Sequence, residues 1–276
     1  MTVAVTGHRG RLGKYLVENF NYVPLDCDVT DVDQVKQVMK EVQPDTVIHC
    51  AAVTDVDKCE SELYEKAIEV NIHGVTNIRQ SFEGQVIYLS TDYVFDGSDG
   101  PYSEEAKLSP ICHYGYTKAF GEEVMREWDY PTDVIVRTTI LYGGHKPDFV
   151  TKILGRLENN EQFPVTGGLI GTPTYVPHLA KGIKALIGLK RPPKVVNISG
   201  RDWISRWTFA YMIAKTFGYP VYHILMTMRC NGNANRPKLA GLKTDFAKTL
   251  RIPIFPMEDG LKEMKNEYEK SKCGEV

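Results

Sequence analysis

Three side chains suited to moving a proton fall in order along the chain. Thr91 sits in "LSTDYVFDG", and Tyr114 and Lys118 sit in "HYGYTKAFGEE". Tyr114 and Lys118 are four residues apart on a predicted helix, so they share one face. A tyrosine with a pKa of about 10 is a poor acid or base at neutral pH. A neighbouring ammonium stabilises the phenolate and is expected to move that pKa toward the working range. Thr91 lies at the end of the strand before this helix, where its hydroxyl can hydrogen-bond the same carbonyl oxygen that Tyr114 protonates. Taken alone, a tyrosine and a lysine at this spacing are a common solvated pair. Thr91 upstream turns them into a constellation.

A second group of residues suits an anion. "TGHRGRLG" places Gly7, Gly10 and Gly13 between a short apolar strand, "TVAVTG", and a helix, "RLGKYLVENF". A dinucleotide pyrophosphate needs this construction: a tight turn at Gly7, close approach at Gly10, helix–sheet packing at Gly13, and a helix N-terminus aimed at the phosphates. The spacing is GxxGxxG, so the shorter GxGxxG fingerprint is not met.

These residues must be held by the elements around them. Apolar runs ("DTVIHCAA", "QVIYLS", "DVIVRTTILYG") alternate with amphipathic stretches ("DVDQVKQVMKEV", "ELYEKAIEVNIHGVTNIRQSF", "YTKAFGEEVMREW"). Such alternation predicts an α/β fold, a Rossmann-like doubly wound parallel sheet with helices on both faces. Residues 1–143 are expected to form the NAD(P)-binding domain. Residues 144–276 are expected to form mainly a smaller substrate-binding lobe, with segments near 175–200 returning to the sheet or its edge. The stripe "WTFAYMIAKTF" reads as helix core, and the last residues, "KCGEV", are expected to fray.

Composition narrows the classes. The chain has 276 residues, 33 basic against 35 acidic, and no strong basic run, which argues against a nucleic-acid partner. No apolar stretch approaches the roughly 20 residues needed to span a bilayer. The N-terminus lacks the basic start and cleavage site of a signal peptide and reads as mature structure. The six cysteines form no zinc spacing, and reduced thiols in a cytoplasmic setting are expected. The seven histidines show no metal spacing. His49 is expected to pack, and His8 and His145 fall in loops near the predicted cleft.

The stretches "TGHRGRLG", "HCAAVTDVDKCESE", "LSTDYVFDG", "YGYTKAFGE", "RTTILYG", "GTPTYV" and "RPKLAGLKT" together resemble the extended short-chain dehydrogenases/reductases, most closely the dTDP-4-dehydrorhamnose reductase type. The resemblance implies an NAD(P)H-dependent reductase of a nucleotide-linked 4-keto deoxysugar, as in dTDP-rhamnose biosynthesis. Hydride would pass to C4 and the proton would come from Tyr114. It assigns Thr91, Tyr114 and Lys118 to catalysis, the last two also touching the cofactor. Gly7, Arg9, Gly10, Arg11, Leu12 and Gly13 would hold the phosphates. Asp28 and Val29 would meet the adenine, and Ala51 and Ala52 the ribose. Thr91, Asp92, Tyr93, Ile140 and Arg236 would face the substrate. Arg9, just before the second glycine, implies a contact to the 2′-phosphate of NADPH, while Asp26 near the end of the second strand favours NADH; NADPH is preferred, with NADH tolerated. A homodimer is compatible with the family.

The chain departs from that pattern at three places. Ile140 stands where the family commonly has tryptophan. "GLIGTPT" puts Gly168 and Leu169 in place of a polar pair. Asp92 occupies the place of the epimerase cysteine of related GDP-fucose synthases, so 3,5-epimerase activity is not expected. A second reading stays open beside the enzyme: a non-catalytic nucleotide-binding regulatory subunit, similar to the methionine adenosyltransferase beta subunit, which shares this resemblance.

Overall fold

A computed structural model describes residues 1–230 and 232–272. Asn231 and residues 273–276, which include Cys273 and most of the stretch expected to fray, lie outside the described residues.

Short runs rich in β-branched residues form the sheet. They are Val3–Thr6 (β1), Val23–Pro24 (β2), Thr46–His49 (β3), Gln85–Thr91 (β4) and Val134–Thr138 (β5). With Val195–Asn197 outside β5, they make one six-stranded sheet in the order Val195–Asn197, β5, β4, β3, β1, β2, every pair parallel. Every residue of β1, β3 and β5 is buried, as expected of strands covered on both faces. On one face Leu12 and Leu16 of the first helix pack with Val176, Leu179 and Ile183 of the helix Val176–Ile187. On the other, Val35, Met39, Ile78 and Met125 close the core. A further cluster gathers Tyr142, Ile153, Phe209 and Leu261 from later elements. The chain leaves β1 for β2 and then crosses back to β3. That reversal opens a crevice at the carboxyl ends of β1 and β3.

The long helix predicted over "ELYEKAIEVNIHGVTNIRQSF" runs from Tyr64 to Gln80 with a π turn inside it. Tyr64–Ile68 is α-helical, Glu69–His73 is the π-helical turn and Gly74–Gln80 is α-helical again, while Val56–Cys59 is a separate short helix ahead of this stretch. The π turn carries the fully buried Asn71, whose amide brackets Val53 by accepting from its N–H (2.8 Å) and donating to its carbonyl (3.0 Å). It also donates to Thr117 Oγ1 at 2.9 Å. Helical periodicity does not encode such a turn; the side-chain bonds select it.

The helix His113–Trp128 brings Tyr114 and Lys118 to the sheet. At Gly121 of this helix an added Cβ would overlap the buried Tyr88 phenol of β4. Alanine in a helix is ordinarily favoured over glycine by about 1 kcal/mol. Here the rigid ring dominates, and Gly121→Ala is expected to lower stability by about 1–3 kcal/mol, the cost of overpacking a closed core. Urea unfolding checks this; a variant as stable as wild type would mean that the helix can lift off β4 without loss.

Candidate active site

The end of β4 delivers Thr91 and Asp92 into the crevice, 6% and 2% exposed. Asp92 is tied on several sides. Thr139 Oγ1 donates to its Oδ2 at 2.7 Å, the Gly241 N–H donates to the same oxygen at 3.1 Å, and Thr91 Oγ1 lies 3.3 Å from Oδ1. Burial raises the Asp92 pKa and these bonds oppose it. Tyr93 meets Tyr114 edge to face, with ring centroids 5.7 Å apart. The Thr91 hydroxyl lies close enough to the Tyr114 phenol to favour its ionised form.

Thr91, Asp92, Tyr93, Tyr114, Lys118 and Ile140 line one cleft of about 510 Å³, which also includes Gly7, Gly10 and Gly13. The expected lowering of the Tyr114 pKa is corrected here. Burial pushes it above the usual range, and the nearby Thr91 hydroxyl offsets this only in part. The Lys118 ammonium lies 4.0 Å over the Tyr88 ring rather than on the phenol. Tyr114 therefore holds its proton, the state a proton donor needs. Lys118 is lowered by burial to about 7, with Glu122 and Cys50 pulling the other way. His49 packs: its Nδ1 is 2.8 Å from Thr6 Oγ1, its ring stacks on Tyr88, and burial lowers it to about 3.

Ile140 adopts φ of +46°, which a β-branched residue rarely does. Its carbonyl is held by the Thr174 N–H at 3.1 Å, and its Cδ1 reaches the space over Gly171. A side chain at residue 171 would displace it, so Gly171 gives Ile140 its place in the cleft wall.

At the opposite end of the cleft, Gly7 turns at φ +62° and its carbonyl accepts from the Gly10 N–H at 2.8 Å. A Cβ at Gly7 would meet the Ala51 backbone at 2.6 Å, and one at Gly13 would collide with the Gly7 carbonyl. No side chain caps the helix Arg11–Phe20, which leaves its first amides and positive end for an anion. The turn, the uncapped helix and the open cleft fit a dinucleotide pyrophosphate.

Of the other residues expected at the cofactor, Arg11, Leu12 and Ala52 line this cleft. Arg9 makes a paired contact with Asp26, both distances 2.9 Å. Arg11 donates to the carbonyls of Gly143 (2.8 Å), Lys146 (2.7 Å) and Pro147 (2.8 Å), and to Asp148 (3.2 Å). Arg11 thus lines the cleft while binding the loop across it. Ala52 and Leu12 line the cleft; Asp28, Val29 and Ala51 do not. The Asp28 carboxylate caps its own turn through Thr30, Val29 is buried beneath Gly74, and the Ala51 N–H reaches Thr6 Oγ1 at 3.3 Å.

A second cavity of about 800 Å³ adjoins the cleft. Lys152, Arg156, Arg206, Arg229 and Arg236 line it, and no Asp or Glu does among the described residues. Arg236 is engaged: it pairs with Asp57 at 2.5 Å and donates to the Ala234 carbonyl at 3.1 Å. Arg206, Thr139 and Lys146, the last also lining the cleft, were not singled out by sequence. Arg206 directly precedes a stripe that reads as core, which hides it.

Comparison with known proteins places this geometry among relatives. The chain matches the family profile of the RmlD substrate binding domain over residues 1–270. It is 31% identical over 227 residues to a dTDP-4-dehydrorhamnose reductase from Aggregatibacter actinomycetemcomitans, covering 76% of each chain. A crystal structure of dTDP-4-dehydrorhamnose reductase from Bacillus anthracis in complex with NADP superposes with a TM-score of 0.90 at 31% identity, covering 97% of this chain and 100% of that one. A methionine adenosyltransferase 2 subunit beta from Danio rerio is 28% identical over 279 residues, 91% of this chain and 85% of that one.

The lowered Lys118 gives a prediction with a fixed sign. An unfolded lysine keeps its proton up to about pH 10, whereas the folded one loses it near 7. Between those values the unfolded chain binds more protons, so wild-type stability rises with pH there. Lys118→Met removes the group. Its stability relative to wild type is expected to be highest below about pH 7 and to decline toward about pH 10, read by urea unfolding across that range. A difference that stays flat with pH would contradict a buried lysine of lowered pKa.

Proposed function

Because the chain belongs to the RmlD substrate binding domain family, we propose that it is an NADPH-dependent reductase of a nucleotide-linked 4-keto deoxysugar of the dTDP-4-dehydrorhamnose type. It is an oxidoreductase, and the observation that carries the reading is Thr91, Tyr114 and Lys118 on one cleft with the glycine turn. The bound nicotinamide supplies the hydride to C4. The chain's own residues do the rest. The uncapped first helix and its glycine turn seat the pyrophosphate. Thr91 orients the C4 oxygen, and Tyr114, protonated because it is buried, gives that oxygen its proton. Lys118, one helical turn from Tyr114 in the same cleft, faces the cofactor.

Arg9 and Asp26 already satisfy one another. A 2′-phosphate competes for the guanidinium, which can bind it through two parallel bonds. Residues up to about 143 form the cofactor-binding part, and most of the later chain forms the substrate side. A cytoplasmic setting agrees with the described cysteines being free thiols. The regulatory-subunit reading rests on the beta-subunit likeness; it uses the cleft for nucleotide and leaves Thr91, Tyr114 and Lys118 without a catalytic task.

NADPH oxidation with a panel of nucleotide-linked 4-keto sugars tests the proposal. Wild type is expected to turn over at least one. Tyr114→Phe should lose about 10²–10⁴-fold in rate with NADPH affinity nearly intact. Near wild-type turnover by Tyr114→Phe would remove it as the proton donor, and silence across the panel would favour the regulatory subunit. In parallel titrations Arg9→Ala should weaken NADPH binding by about 1.5–3 kcal/mol and leave NADH little changed; equal losses would take Arg9 away from the 2′ position.

A further inference from the structure

Arg206 opens the helix Arg206–Phe217, behind its Ser205 cap. It is the arginine that lines both the catalytic cleft and the cationic cavity beside it, apart from Arg11 in the cleft and Arg156, Arg229 and Arg236 in the cavity. Among the described residues, no carboxylate, carbonyl or hydroxyl accepts a hydrogen bond from its guanidinium. Its ring contact is with Phe149, whose centroid lies 5.2 Å from the guanidinium carbon. A guanidinium carries five donors; Arg206 is half-buried, and with no protein acceptor these donors are left for water or a ligand.

Arg236 presents the opposite case. Asp57 neutralises it, and the same carboxylate accepts from the Asn233 and Ala234 amides at 2.8 and 3.0 Å. Arg236 is thereby built into the loop that carries it. It still lies near enough to repel Arg206. Asp92 attracts Arg206 from the cleft side without hydrogen-bonding it.

We propose that Arg206 is the residue that grips the diphosphate of the nucleotide-linked substrate, so that the sugar enters the cleft and the nucleoside enters the cationic cavity. The inference rests on the reductase reading above and adds a residue to it. A diphosphate is the link between sugar and nucleoside, so it must lie where their two spaces meet, and Arg206 lines both. A diphosphate there meets a planar fork able to bind it through paired hydrogen bonds. It also relieves the repulsion between Arg206 and Arg236. Lys152, Arg156 and Arg229 add a field that draws an anion into the cavity. Arg236 then acts mainly by shaping the loop, with Asp57 as its holder.

Isothermal titration of the full chain with dTDP, UDP, GDP and CDP, and with thymidine, tests this in wild type, Arg206→Gln and Arg206→Lys. Wild type is expected to bind at least one diphosphate. Arg206→Gln should weaken that nucleotide by about 10- to 100-fold, the range for bonds to a charged group. Arg206→Lys should fall between the two, with thymidine and NADPH binding unchanged in all three proteins. Unchanged NADPH affinity reports an intact fold. Diphosphate affinity unaltered in Arg206→Gln, thymidine affinity falling in parallel, or no diphosphate bound by wild type would each overturn the assignment. Turnover separates the two proposals. Diphosphate binding that depends on Arg206 in a chain inactive on every 4-keto sugar sinks the reductase reading alone. An active chain indifferent to Arg206→Gln sinks this one alone.

Discussion

The carboxylate of Glu122 joins the three elements on which the cleft depends. It is fully buried on the helix His113–Trp128, one turn beyond Lys118 and two beyond Tyr114. Ser90 Oγ of β4 donates to it at 2.6 Å, and Arg137 of β5 binds it through Nε at 2.8 Å and Nη2 at 2.7 Å. Arg137 continues outward to the Glu104 carbonyl at 2.9 Å, and the Glu104 side chain accepts from the Asn197 N–H of the edge strand at 2.9 Å. Burial alone would raise the Glu122 pKa, but Arg137 and Ser90 hold it below the ordinary carboxylate value. Such a pair adds little net stability over a packed apolar pair, yet losing either partner strands a buried charge at a cost of about 3–5 kcal/mol. Its consequence is positional. Ser90 precedes Thr91 directly, so the bond that docks the helix also sets Thr91 against Tyr114.

Carboxylates do the same work on the substrate side, over longer spans of chain. Asp92 binds Thr139 after β5 and the Gly241 amide, and Asp57 binds Arg236 and the amides before it. These bonds draw the segment 232–242 against the mouth of the cleft. Arg11 does the equivalent at the other end by holding the loop 143–148. The cleft and its surroundings are therefore held by stretches far apart in sequence, through charges at Arg11, Asp57 and Asp92.

Local pattern made much of this legible. Alternating apolar runs and amphipathic stretches indicated the parallel sheet, and the glycine spacing indicated the first turn and helix. Thr91, Tyr114 and Lys118 were legible because strand end and helix face follow from periodicity. What stayed hidden depends on partners remote in sequence. The π turn at Asn71 is selected by Val53 and Thr117. Arg9 and Asp26, which pulled the cofactor preference in opposite directions, meet each other. The spacing of Tyr114 and Lys118 suggested a lowered phenol pKa, but burial, which no spacing encodes, decides the direction. Arg206 looks like the first residue of a core helix until the two cavities beside it are known.

Transfer of deuteride tests the central claim most directly. The purified chain is incubated with NADPH deuterated at the transferring position of the nicotinamide and with dTDP-4-dehydrorhamnose, and the sugar product is analysed by NMR. The account predicts one deuterium, bonded to C4 of the reduced sugar, and none in the product of the Tyr114→Phe variant over the same time. Oxidised cofactor with no deuterium at C4, or label at another carbon, would contradict it.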